Sequence, residues 1–141
     1  MLITNHVLAG ALVGATSPGP AAAFGLGVLS HAAMDAAPHF GNQAIFLRVA
    51  VVDGLLGLAT MSWVARSTTR GKRNVVMAGM LGACFPDADK PALLFVGRSP
   101  FPAVVDHWHA RIQHESPRRL PQEVAVAALG VLLVRRLVTR S

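Results

Sequence analysis

This 141-residue chain carries six histidines and seven carboxylates, and they are unevenly placed. The histidines fall at His6, at His31 and His39, and at His107, His109 and His114. Five of the carboxylates are aspartates, Asp35, Asp53, Asp87, Asp89 and Asp106, set among or beside those stretches. His31 and Asp35 are four residues apart, so on a helix they share one face and can grip a single cation, or simply pair with each other. Neutral imidazole with carboxylate suits Zn²⁺, Mn²⁺ or Fe²⁺. Phe85-Pro86-Asp87-Ala88-Asp89 places two acids on a turn, where they can line a metal site or serve the turn, one of them pairing with Lys90. His109 and His114 lie on roughly one side of an amphipathic stretch, while His107 reads better as an interfacial side chain. Asp53 interrupts the longest apolar run. A lone carboxylate there is costly and calls for a metal, a histidine, Arg48 or a proton as partner. Cys84 is the single cysteine, which excludes an intrachain disulfide and reads as apolar packing.

The elements that must position these groups read as helices. Apolar stretches cover 4–16, 21–37, 43–66, 74–85 and 121–138, with an amphipathic helix over 101–115. Ser17-Pro18-Gly19-Pro20, Pro38, Gly41-Asn42 and Pro86 supply the breaks. If the helices alternate in direction, His6, His31, Asp35, Asp87 and the histidine stretch come to one end. Arg66, Arg70, Lys72 and Arg73, with Arg135, Arg136 and Arg140, come to the other.

Composition predicts the setting. Hydrophobic residues make up 52% of the chain and charged residues 14%, against about a quarter in a typical soluble domain. The fold class is therefore all-α: one domain over 1–141, an integral-membrane helical bundle of about five apolar helices plus one amphipathic helix. The formal charge of +6 sits in clusters that punctuate apolar runs, not interleaved with aromatics, so no nucleic-acid partner is expected. The positive-inside rule would place the basic end in the cytoplasm of a prokaryote and the site toward the outer face of its plasma membrane.

Together these short motifs resemble the family of small membrane-bound predicted metal-dependent hydrolases. The likeness rests on Asn5-His6 before a Gly/Ala-rich helix and on Ser30-His31-x-x-x-Asp35-x-x-Pro38-His39. It continues through Asp53-Gly54-Leu55-Leu56-Gly57, Pro86-Asp87-x-Asp89, and His109 with His114. A looser likeness is to zinc-dependent phospholipase C. The stretch from His107 to His114 departs from the His-Arg-Gly-x-Thr-His-Ser pattern of many family members. The resemblance implies a hydrolase, with a lipid or lipid-linked phosphoester, or another small molecule, as substrate. His6, His31, Asp35, Asp53, Asp87, His109 and His114 would hold one to three divalent ions, zinc first and manganese second. Asp89 would serve as general base and Arg111 would steady phosphate charge. The alternatives are a carrier or sensor of divalent metal and a non-catalytic structural membrane protein.

Overall fold

In the computed structural model, which describes residues 1–139, the chain is helical almost throughout. Arg140, expected in the C-terminal basic cluster, lies outside the described residues. Seven α-helices are described: α1 (Ile3–Thr16), α2 (Pro20–Ala36), α3 (Phe46–Ser67), α4 (Arg70–Cys84), α5 (Asp89–Val96), α6 (Ala103–Ile112) and α7 (Leu120–Leu137). Proline sets several of their ends. α2 begins on Pro20, whose fixed φ suits a first helical position. It ends at Ala36 because Ala37, preceding Pro38, is driven to an extended conformation. Pro86 tightens the end of α4 into a 3₁₀ turn over Phe85–Ala88.

α4 packs against α1 and α2, while α3 and α7 pack against α1. The buried core joins Val7, Leu8 and Ala11 of α1 to Val64 of α3, Val76 and Met80 of α4, and Val134 of α7. Close helix approach depends on missing side chains. A Cβ added at Gly79 would strike the Gly10 carbonyl, and one at Gly82 would strike the Phe24 carbonyl. These contacts draw α1, α2 and α4 together, which brings His6, His31 and the turn after α4 into reach of one another. Residues 39–41 pair with 114–116. His39 N donates to His114 O at 3.0 Å, and Ser116 N donates to His39 O at 2.9 Å.

The expectation of about five membrane-crossing helices is overturned. Among the described residues only α3, with 22 residues and a mean hydropathy of 1.5, is long and apolar enough to cross a membrane. The apolar α1 has 14 residues and reaches only ~21 Å, short of a bilayer core of ~30 Å. α7 carries Glu123, Arg135 and Arg136 within its 18 residues. The Pro- and Gly-rich breaks that set the helix boundaries also keep the helices short. Of the apolar stretch of α3, 17% is buried.

Two boundaries also differ. The 101–115 helix is confined to Ala103–Ile112, so His114 falls outside it. The stretch after Pro86 holds α5, which a proline-rich reading conceals. Pro91 sits in the first turn of α5, where its missing N–H leaves no bond unmade, and Gly97 closes the helix with φ of 76°.

Candidate metal centre

Four of the expected ligands meet in one buried cluster. One ligand atom each from His31, Asp35, Asp87 and His109 lies within 4.8 Å of all the others. They come from three elements of the fold. His31 and Asp35 stand one turn apart near the end of α2. Asp87 lies on the 3₁₀ turn after α4, and His109 is the buried residue of α6.

The spacings fit a coordination shell. His31 Nε2 lies 3.0 Å from His109 Nε2 and 3.2 Å from Asp35 Oδ2. His109 Nε2 lies 3.4 Å from Asp35 Oδ2 and 3.8 Å from Asp87 Oδ1. Ligands about 2.0–2.1 Å from a tetrahedral ion stand about 3.3 Å from one another. Tautomers point the same way. His31 Nδ1 donates to Ala83 O at 2.8 Å, which leaves a lone pair on Nε2. His109 turns Nδ1 toward Asp89 Oδ2 at 3.8 Å, so its Nε2 also faces inward. These inward positions can hold a proton shared with Asp35, or a divalent cation in its place. Carbonyl and carboxylate partners behind metal-binding imidazoles fix rings in this way.

His6 adds a further signal. It is fully buried and stacked on His31, with ring centroids 4.0 Å apart. Neither ring nitrogen has a hydrogen-bond partner, although Nε2 comes within 3.2 Å of Asp35 Oδ1. A buried imidazole left unsatisfied is uncommon and calls for a missing partner. Burial lowers the His6 pKa against the pull of Asp35, so the ring is held neutral, the form that ligates.

The acids are kept ionised. Burial alone would raise the Asp35 carboxyl, but His109, His31 and His6 overcome it and hold it well below the usual carboxylate range. Burial likewise opposes ionisation of Asp87, and the charge of Lys90 with the nearby His6 and His31 prevails. Lys90 forms an ion pair with Asp87. Burial would lower the Lys90 ammonium, and Asp87 keeps it above its ordinary value. Cys84 is not part of the cluster, and burial, then Asp87 and Asp53, push its thiol up to about 12.

The remaining expected site residues lie elsewhere. Asp53 is nearly buried and accepts hydrogen bonds from Ile3 N, Thr4 N and Thr4 Oγ1, so it caps the start of α1. His114 and Arg111 are exposed and outside the cluster. Arg111 follows His109 by two residues and points to another face of α6. Asp89 stands behind His109, with its Oδ1 buried and unpartnered. Sequence reasoning passes over two groups. Gln113 Nε2 reaches Asp35 Oδ2 at 3.2 Å from just beyond α6, and neutral glutamines give no pattern to find. Glu123 reads as a helix-start acid, yet it is fully buried. It accepts from Leu2 N, Asn5 Nδ2 and Phe40 N.

The fold and site define a helical protein whose buried His31, Asp35, Asp87 and His109 can hold a metal ion. The chain matches no protein-family model, no curated protein and no solved structure.

Proposed function

We propose that this protein is a metal-dependent hydrolase of phosphoesters. The supporting observation is the inward convergence of two imidazoles and two carboxylates at coordination spacing, with a third imidazole, that of His6, unsatisfied beside them. The motif resemblance to membrane-bound hydrolases favours the same class. Two nitrogen and two oxygen donors near tetrahedral spacing suit zinc, and manganese accepts the same set with added waters. A catalytic ion would need an open position, and expansion of the four-ligand shell to a fifth would supply one. A bound ion of this kind lowers the pKa of its water toward neutrality and polarises a phosphoryl oxygen. Lys90 stands beside the cluster, where a substrate phosphate would meet it. Asp89 acts through His109, holding the ring for coordination.

The test is turnover of p-nitrophenyl phosphate by protein reconstituted with zinc or manganese. Activity should appear with metal, vanish with a chelator and return on readdition. A metal-loaded protein without turnover on this or any longer phosphoester would select the alternative of a carrier or sensor, which closure of the shell by four protein ligands favours.

A further inference from the structure

A groove of about 680 Å³ runs between α3 and α5, with Leu47, Leu55 and Leu58 on one wall and Leu94 and Phe95 on the other. Asp87 and Lys90 also line it, so it reaches the metal cluster. Its apolar side chains remain uncovered: Leu55 is 64% exposed, Leu58 63% and Phe95 82%. A contiguous apolar surface of this kind marks a binding site more often than an accident of folding. Of the acids that line it, Asp87 is paired with Lys90. Asp53 is committed to the backbone of α1, and Glu115 sits exposed at the edge. From Leu47 to Leu58 the α3 wall extends ~17 Å along the helix.

We propose that this groove holds the hydrocarbon chain of a long-chain phosphate ester whose phosphate meets Lys90 and the metal cluster. The chain would lie along α3 toward Leu58, with the charged head at Asp87 and Lys90. An ion bound to Asp87 takes over as that carboxylate's countercharge and leaves the Lys90 ammonium for the phosphate. This inference rests on the hydrolase reading for the placement of the head and supplies its substrate class.

The test is calorimetric titration of the metal-loaded full chain with monomeric alkyl phosphates from butyl to dodecyl. Affinity should rise about threefold per added methylene until the groove is full. Dodecanol should bind about tenfold more weakly than dodecyl phosphate, since it lacks the charge that Lys90 recognises. Gly54 lines the groove, and a Cβ there meets nothing within 4 Å. Gly54→Trp should therefore fill the groove and weaken dodecyl phosphate binding at least about tenfold, with metal content unchanged. If that variant does not fold, the length series on the wild type still decides. Affinity independent of chain length, or equal binding of dodecanol, overturns the inference. Length-dependent binding without hydrolysis keeps the groove and removes the hydrolase. Hydrolysis of p-nitrophenyl phosphate without length dependence keeps the hydrolase and removes the groove.

Discussion

Asp35 and Glu123 are both fully buried carboxylates, yet they stand in opposite chemical company. Glu123 is surrounded by hydrogen-bond donors that cannot lose their protons, the backbone amides of Leu2 and Phe40 and the Asn5 amide. It joins the start of α1, the segment after α2 and the start of α7. Asp35 accepts from the Met1 ammonium at 2.7 Å and from Gln113, but it also faces His6, His31 and His109, groups that offer either a proton or a lone pair, with Asp87 close by. Burial is equal, but the first arrangement satisfies the donors around it, whereas the second leaves both ring nitrogens of His6 without a hydrogen-bond partner. The character of a buried acid's partners, more than its depth, separates a structural hub from a metal centre.

Breaking that contrast should give graded effects. The largest is expected at Asp35: Asp35→Ala removes the shared acid of the cluster and should lower bound metal by at least about 100-fold, read by equilibrium dialysis. Glu123→Gln should do the reverse. It should cost about 1–3 kcal/mol of stability in denaturant titration, because a backbone donor loses its acceptor, while the folded fraction keeps its metal. Acidification of the metal-free protein should destabilise it. His6 is lowered by burial, and Asp35 and Asp87 are lowered by their cationic and imidazole neighbours. The unfolded chain therefore binds protons more readily, and the stability present at neutral pH is lost as pH falls, first through about 6.5 and then through about 4. Thermal melts from pH 8 to pH 3 check this, and a flat profile would contradict it. The smallest effect is at Asp53→Ala, which should cost about 0.5–2 kcal/mol through loss of the α1 cap and leave metal binding intact.

Part of this contrast is legible in the sequence. The four-residue spacing of His31 and Asp35 places them on one face, and alternation of the helices brings Asp87 and the histidine stretch to the same end. Asp53 shows that it needs a partner but not which one, because its partners are backbone amides that carry no sequence signal. His114 looks like a neighbour of His109 only if the helix continues past Ile112, and it does not. Glu123 reads as a first-turn acid because its three donors come from residues about 80 or 120 positions away. The number of membrane-crossing helices is overestimated because hydropathy reports composition, whereas crossing also needs length, and only α3 combines both.

Elemental analysis of purified wild type beside His31→Ala and Glu123→Gln tests the metal centre most directly. A bound divalent ion in wild type and in folded Glu123→Gln, lost in His31→Ala, is the predicted result. Equal metal in all three proteins, or none in wild type after incubation with zinc and with manganese, would contradict it.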